Sequence, residues 1–523
     1  MSVALKHKPG LRNGKASARL EERAMNLQKL LAGAEIAGVT GPAEVEIRSV
    51  AYDSRKATPG SIFFALHGEK LEGVKFVEDA LRSGAVAVAS ASARPAGIPN
   101  ETTWVELAAG SERRGLAIGA ANYYRHPADA LGLVGVTGTN GKTTTAYLVD
   151  SILRAAGHTT GLIGTTGYRT PKGSREALNT TPESLDLQQM FAEIRDAGGT
   201  HAVLEASSHA LAMERLWGCH FAAAIFTNLT RDHLDYHKTF EEYFAAKRRL
   251  FEGTGAGAPE VGVINADDPY AAQLAGLARR TLTYGLKGAS DLTAKKFALT
   301  FHGLEFTAQT PAGNIEVRSP FVGRINVYNI LAAIGAGIGL EIPNAKIEEG
   351  IAKLELVPGR FQRIDEGQPF LVVVDYAHTD DALRNLIATA RELGPTARII
   401  TVFGAGGERD RTKRPLMGEA AGSLSNLVVL TSDNPRSEDP LRIINDVVVG
   451  LQRVNAKYRV EPERERALEI AIEEAQPGDI VLLAGKGHET YQVLRDGTIE
   501  FDDREKARAI LRRKGYSKPV ARN

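Results

Sequence analysis

The sequence predicts an α/β protein of three domains: a small α/β N-terminal domain, a central domain built on a parallel sheet, and a C-terminal Rossmann-like α/β domain. Three observations carry this expectation. A chain of 523 residues is long enough for about three domains. From about Leu131 onward, short apolar runs alternate with helical segments, the pattern of strand–helix–strand units around a parallel sheet. The polar, glycine-rich stretches come just after those runs, at the carboxyl ends of the expected strands, where doubly wound sheets collect their ligands.

Composition narrows the function class. Apolar residues make up 43% and charged residues 24%, as in ordinary globular proteins. A net charge of +1 gives no drive toward nucleic acid or a membrane surface. The lone Cys219 rules out an internal disulfide, fits a reducing compartment, and reads as a small buried thiol. The longest apolar run, 330–340, is too short to span a bilayer. Residues 1–24 are basic but lack the apolar core of a signal peptide, so they are expected to be a mobile tail on a cytoplasmic protein.

The first domain is expected over 25–128. Residues 45–50 and 61–66 read as strands and 74–83 as a helix leading into the apolar run 85–89. The loops carry Asp53-Ser54-Arg55 and Gly68-Glu69-Lys70, which suit either part of a substrate site or a structural cap.

The second domain is expected over 129–356, and its informative stretch is 135–145, GVTGTNGKTTT. It follows an apolar strand and precedes a helix, a geometry that aims backbone N–H groups at an anion. Gly138 and Gly141 allow close approach to phosphate, Lys142 reaches the terminal phosphates, and the Thr143 hydroxyl suits Mg²⁺. The loop departs from the strict pattern at Val136, where a glycine is usual. Further along, EASSH (205–209) and TNLTRDHLDYH (227–237) follow apolar runs, and 292–319 breaks the rhythm with an antiparallel hairpin around Pro311 to Asn314. A helix over 326–340 follows. Glu205 and His233 suit a Mg²⁺ shell better than a zinc site, although histidine is an unusual ligand for Mg²⁺. His233 and His237 stand four apart and could share a helix face, and Lys247 reads from spacing alone as a helix-surface lysine.

The third domain is expected over 357–523, with a hinge at Val357-Pro358-Gly359-Arg360. Four apolar strands end in polar loops: DYAH, GAGGERD, SDNPR and GKGHE. GAGG resembles part of a dinucleotide fingerprint, but the final glycine would fall at Arg409, which excludes NAD. No glycine-flanked elbow surrounds Ser207-Ser208, so hydrolase chemistry is not expected. Asp433-Asn434-Pro435-Arg436 reads either as a turn or, with Arg409, as a carboxylate clamp.

Taken together, GTNGKTT, NTTP, EASSH, TNLTRDHLDYH, YFAAK, GRINVYN, DYAH, GGERDRTKRP, DNPR and GKGHE resemble the Mur ligase family, in order and over nearly all the chain from Met25. The resemblance implies an amide-forming ligase of peptidoglycan synthesis that uses ATP and Mg²⁺, and the chain is expected to act as a monomer. It implies that Gly138, Thr139, Asn140, Gly141, Lys142, Thr143 and Thr144 hold the ATP phosphates. Asn329, Arg360 and Asp375 would also contact ATP. Glu205, His233 and a carbamylated Lys247 would organise the metal with Thr143. Tyr52, Ser54, Glu69, Lys70 and Leu71 would lie along the uridine nucleotide of UDP-MurNAc-L-Ala-D-Glu. Asn179, Thr180, Thr181, Ser207, Met213 and Arg215 would follow its sugar-peptide part. Arg409, Asp433, Asn434, Pro435, Arg436, Gly485 and Glu489 would form the pocket for meso-2,6-diaminopimelate. Met213 stands where glutamine is usual and Asp380 where proline commonly follows DYAHT. Rival readings are the same ligase using L-lysine, a tripeptide-adding or folylpolyglutamate ligase, and a nucleotide-dependent switch.

Overall fold

A computed structural model describes residues 24–68, 72–300 and 303–517, without the side chains at 296, 297 and 299. The basic tail 1–23 and the Glu69-Lys70-Leu71 stretch lie outside the described residues.

The N-terminal sheet has five strands: β1 (Ile36–Thr40), β2 (Ser49–Ala51), β3 (Ser61–Phe64), β4 (Ala85–Ser90) and β5 (Thr103–Leu107). Their order is β1-β5-β4-β3-β2, parallel except at the β1–β5 edge. Strand β3 is buried throughout because successive side chains serve two cores. Ile62 and Phe64 pack with Leu116 and Ala120 of α2 (Glu112–Tyr123), whereas Phe63 meets Val77 of α1 (Val77–Arg82) and Trp104. The single strand expected over 45–50 is divided between two partners: Glu46–Ile47 pairs with Met25–Asn26, and β2 joins the main sheet.

The central sheet contains β6 (Gly132–Thr137), β7 (Thr160–Gly164), β8 (Gly167–Thr170), β9 (Gly173–Arg175), β10 (His201–Glu205), β11 (Phe221–Phe226), β12 (Val261–Asn265) and β13 (Arg280–Tyr284). Their order is β9-β8-β7-β10-β6-β11-β12-β13. Six strands run parallel, and β8 and β9 fold back as an antiparallel edge. Helices α3 (Lys142–Ala155), α8 (Arg324–Gly339) and α9 (Asn344–Lys353) cover one face, meeting Val134, Val136 and Ile225. Helices α4 (Ser184–Asp196) and α7 (Phe240–Glu252) cover the other, meeting Leu133, Leu204 and Phe226. Between β10 and α7 come two short helices, α5 (Ser208–Ala212) and α6 (Leu234–His237). The segment expected as one hairpin is a three-stranded antiparallel sheet of β14 (Thr293–Thr300), β15 (Gly303–Thr310) and β16 (Gly313–Ser319). Its β15–β16 turn lies at the expected place, and alternate residues Phe306, Ala308, Ile315 and Val317 enter the central core.

The C-terminal sheet comprises β17 (Gln362–Ile364), β18 (Leu371–Asp375), β19 (Ile399–Phe403), β20 (Leu427–Leu430), β21 (Tyr458–Val460) and β22 (Ile480–Ala484). In the order β17-β18-β22-β19-β20-β21, all pairs but β17–β18 are parallel. Helices α10 (Asp380–Leu393), α11 (Lys413–Leu424) and α12 (Pro440–Arg453) pack on one face. Helix α13 (Arg464–Glu474) and, beyond the hairpin β23 (Tyr491–Leu494) and β24 (Gly497–Glu500), α14 (Asp503–Arg513) pack on the other. The turn 357–360 docks on this domain: Gly359 has φ +67°, and a Cβ there would lie 2.1 Å from the His488 nitrogen. Among the described residues, no helix is long and apolar enough to cross a membrane.

Candidate active site

The phosphate loop closes β6 and opens α3, as strand and helix periodicity require. Gly138 has φ +142°, with Thr227 Oγ1 1.9 Å from where its Cβ would stand. Gly141 has φ +87°, with Asn329 Oδ1 2.4 Å from where its Cβ would be. Any side chain would therefore both strain the turn and push away the loops that shape it. Asn140 is held from below, its N–H donating to Asn228 Oδ1 at 2.9 Å and its carbonyl accepting from Thr227 Oγ1 at 2.6 Å. Lys142 folds back so that its Nζ donates to the carbonyls of Gly138 and Thr139, both at 2.9 Å. Burial lowers its pKa, with Glu205 opposing the shift.

Thr139, Asn140, Gly141, Lys142, Thr143 and Thr144 line one cavity of about 230 Å³ together with Glu205, His233, Lys247, Asn329, Arg360 and Asp375. Thr180 and Ser207 share it. Residues separated by more than 200 positions thus meet at the carboxyl ends of two parallel sheets.

Glu205 ends β10 and is almost fully buried. Its Oε2 accepts from Thr143 Oγ1 at 3.1 Å and Thr165 Oγ1 at 3.0 Å, and its Oε1 from the Thr165 N–H at 2.8 Å. A hydroxyl and a carboxylate beside a phosphate loop are hard oxygen donors of the kind Mg²⁺ takes alongside phosphate and water. Among the described residues there is no cluster of three His, Cys, Asp or Glu that could hold a metal unaided, so this site fits a cation that a phosphate helps to bind.

Lys247 is not the helix-surface lysine that spacing suggests. It is 1% exposed on α7, and its Nζ donates to Gly138 O at 2.7 Å. Its helix packs flat against the sheet, which turns the polar-looking position inward. Burial first, and Lys142 second, lower its pKa well below the ordinary lysine value. His233 and His237 likewise do not share a regular helix face: His233 precedes the four-residue α6 with φ +54°, and both rings pack around His209. His233 Nε2 lies 3.3 Å from Asp232 Oδ2, and burial pushes the imidazole down to about 3.

The C-terminal domain completes the cavity. Arg360 donates to Thr143 Oγ1 at 2.8 Å and lies over the Tyr376 ring at 4.7 Å. Asp375, at the end of β18, accepts from the N–H groups of Phe361 at 2.7 Å and Ala377 at 2.8 Å. His488 reaches back across the gap to Thr165 O at 3.0 Å.

A chain of polar contacts leads away toward the N-terminal domain. Thr181 Oγ1 donates to Glu205 O at 2.6 Å and Ser207 Oγ at 3.0 Å. Arg215 donates to Thr181 O at 2.8 Å and to Met213 Sδ at 3.5 Å, and pairs with Glu183 at 3.3 Å. Tyr52 donates to Asp186 at 2.5 Å across the domain boundary. Asn179 is exposed beside Tyr168, whose hydroxyl donates to Asn179 O at 2.5 Å. Ser54 is buried at the start of a 3-10 turn and is not joined to this chain of contacts by any of these bonds.

The third group gathers where β19, β20 and β22 end. Arg409 and Arg436 flank Gly406, and burial and the nearby Arg409 lower the pKa of Arg436. The Arg436 backbone is left-handed, φ +54°, and its guanidinium donates to Gly407 O at 2.5 Å. Nearby, Asn434 donates to Glu489 Oε2 at 3.0 Å, while Asp433 lies 3.3 Å from the buried Lys486 ammonium. Gly485, φ +111°, has Asp433 Oδ2 3.2 Å from where its Cβ would stand, and Pro435 O lies 2.0 Å from where a Gly407 Cβ would stand. Burial, then Asp433, raise the pKa of Glu489.

Four contributors escaped sequence reasoning. Thr165 carries no local signal at all; Asp232 and Lys486 lie inside quoted motifs but look like ordinary surface charges; Asp381 looks like a first-turn helix residue.

A phosphate loop faces a second α/β domain across a shared cavity, and together with the family matches this arrangement marks an ATP-dependent ligase. Three family descriptions match the chain: the Mur ligase middle domain over 136–337, the Mur ligase glutamate ligase domain over 359–487, and the Mur ligase family catalytic domain over 46–110. The chain belongs to the Mur ligase family. It is 53% identical over 495 residues, 94% of this chain and 99% of the relative, to the UDP-N-acetylmuramoyl-L-alanyl-D-glutamate–2,6-diaminopimelate ligase of Solibacter usitatus. The same-named ligase of Geobacillus thermodenitrificans is 43% identical, over 93% of this chain and 99% of the relative. A solved structure of a ligase of that name aligns with a TM-score of 0.64 at 34% identity, covering 94% of this chain and all of the other. MurF from Acinetobacter baumannii shares the fold, with a TM-score of 0.64 at 21% identity over 88% of this chain and 95% of that one.

Proposed function

We propose that this chain joins meso-2,6-diaminopimelate to the D-glutamyl γ-carboxylate of UDP-MurNAc-L-Ala-D-Glu, with ATP cleaved to ADP and phosphate, in peptidoglycan synthesis. The observation that carries the choice of amino acid is the mixed set of charges gathered in the third group. Arg409 and Arg436 lie together at Gly406, close enough for the charges of Asp433 and Glu489 to act on Arg436, and both acids lie against the Lys486 ammonium. A substrate bearing carboxylates and ammonium groups satisfies both sets at once. Support also comes from relatives of that name aligned over 93–94% of the chain.

The reaction has two steps. A γ-carboxylate oxygen attacks the γ-phosphorus of ATP, and ADP leaves, giving an acyl phosphate. The substrate amine then attacks the acyl carbon, loses a proton, and expels phosphate as the amide forms. Lys142 and the N–H groups of the α3 N-terminus follow the charge on the transferring group. Thr143, Glu205 and His233 would hold Mg²⁺, which when bound neutralises phosphate charge. Lys247 would support it as a carbamate: the neutral amine attacks CO₂, a C–N bond forms, and one proton leaves. The carbamate reading is supported by an amine that is 1% exposed and has no carboxylate paired with it among the described residues.

The test is ATP turnover with each substrate omitted in turn. ADP release that stays low until both the nucleotide dipeptide and diaminopimelate are present supports the ligase. Equal turnover without the amino acid would promote a nucleotide switch.

A further inference from the structure

Helix α10 begins one residue after Thr379, whose Oγ1 accepts from the Ala382 N–H at 3.1 Å. Its first-turn residue Asp381 is therefore free of capping duty, and it points out of its own domain. One oxygen, Oδ2, accepts from Asn140 Nδ2 at 2.6 Å and Thr230 Oγ1 at 3.3 Å, both in the central domain, and from Asn385 Nδ2 at 3.2 Å. Asn140 Nδ2 also reaches Thr230 Oγ1 at 3.3 Å. The Asn140 backbone is fixed by Thr227 and Asn228, so its side chain is the part left to report on the other domain.

Other bonds cross the same gap. Arg360 uses Thr143 Oγ1, an atom the metal would claim, and His488 uses a backbone carbonyl of Thr165. Arg231 donates to Thr412 at 2.7 Å near the rim. The Asp381 contact differs from these because it grips a phosphate-loop side chain, that of Asn140, at an atom that no ligand named above would claim. A carboxylate accepting from an amide across a half-buried interface is also among the stronger single hydrogen bonds.

We infer that Asp381 is a positioning residue that couples closure of the C-terminal domain to the placement of Asn140 at the mouth of the phosphate loop. It rests on the ligase reading only for its turnover measurement. Closing the domain brings the loops that carry Arg409, Arg436 and Glu489 toward the acyl phosphate, and the same movement fixes the loop that holds the triphosphate. Without the contact, nucleotide still binds, but the closed arrangement is less populated.

The experiment compares Asp381→Ala and Asp381→Asn in the full chain, with ADP as the nucleotide probe. Asp381→Ala should keep the Kd for ADP within about twofold while kcat falls about 10- to 100-fold, the size expected for one charge-assisted hydrogen bond lost from the reactive arrangement. Asp381→Asn, whose carbonyl still accepts from Asn140, should recover most of that loss. Thr230→Val combined with Asp381→Ala should cost less than the product of the two single effects, since both remove parts of one contact. Hydrogen exchange on the ADP-bound protein, with no acceptor present, should quicken at 228–232 and 380–386 in Asp381→Ala. ADP affinity falling in step with kcat would overturn the inference and make Asp381 a nucleotide-binding residue. Unchanged exchange at both segments would also overturn it. Wild-type protein that forms no amide would overturn the ligase reading alone, and the exchange measurement would still decide the role of Asp381.

Discussion

Lys142 and Lys247 donate to the same carbonyl oxygen, that of Gly138, at 2.9 and 2.7 Å. Two amines from different helices thus converge on one backbone atom at the base of the phosphate loop. Lys142 comes from the first turn of α3 and is free to swing to a phosphate, while Lys247 is fixed in the packed face of α7.

Lys142→Ala should therefore leave the fold intact and reduce ATP turnover by on the order of 10²–10³-fold, because the loop N–H groups remain while the charge that follows the γ-phosphate is gone. Steady-state ADP release checks this. Near-normal release from a folded variant would remove the phosphate-loop assignment.

Lys247 should gain 44 Da in intact protein prepared with bicarbonate and Mg²⁺, a mass equal to one CO₂ and about that of any single carboxylation. Lys247→Ala should be inactive and should not recover in bicarbonate, since no amine is left to react. An unmodified Lys247 under those conditions, measured by crystallography at high resolution, would defeat the carbamate reading.

Arg436→Ala should lose most activity with diaminopimelate and gain little with L-lysine, because removing a repulsive cation does not build a lysine site. For the intact protein, binding lysine would leave Arg436 without its carboxylate, at about 2–5 kcal/mol. That predicts a preference on the order of 10³-fold in kcat/KM. Comparable kcat/KM for the two amino acids would favour the lysine-adding rival.

A buried pair makes a stability prediction remote from ATP. Arg464 and Asp503 are both fully buried and 2.6 Å apart, and Arg464 also donates to Ser432 O and Ala484 O, just behind the loops that begin at Asp433 and Gly485. Asp503→Asn should destabilise the C-terminal domain by about 3–5 kcal/mol, since it leaves a guanidinium buried without its counter-charge. Urea unfolding followed by far-UV circular dichroism reads this directly, and a loss under about 1 kcal/mol would contradict it.

His201 predicts an acid limit. Burial, then His158, push its pKa down to about 4. The unfolded imidazole takes up its proton near about 6.5. Between those values the unfolded chain binds a proton that the folded chain refuses, so stability is full above about pH 6.5 and declines toward pH 4. His201→Gln should flatten the fall in apparent Tm across that window, and an unchanged slope would assign the acid sensitivity elsewhere.

The kinds of element, and the chemistry at their ends, are written in the local order of residues. The glycines at 138 and 141, Lys142 and Thr143 announce an anion-binding turn because backbone sterics and helix polarity are local properties. The apolar runs ending in DYAH, SDNPR and GKGHE are legible for the same reason: a strand buried on both faces has no choice but to be apolar. Which of those ends meet is fixed by how the sheets and domains pack. Lys247 looked exposed because helical spacing says nothing about the depth of the sheet a helix packs against, and here its Nζ meets Gly138 O, 109 residues away. Thr165 has no distinguishing neighbours in sequence, yet it bonds both oxygens of Glu205 and accepts from His488. Asp381 reads as a helix-start acid and is instead the partner of Asn140, 241 residues earlier. Such pairings depend on strand order and on how two domains meet, and hydrogen bonds reach only about 3 Å, so no local pattern in the chain encodes them.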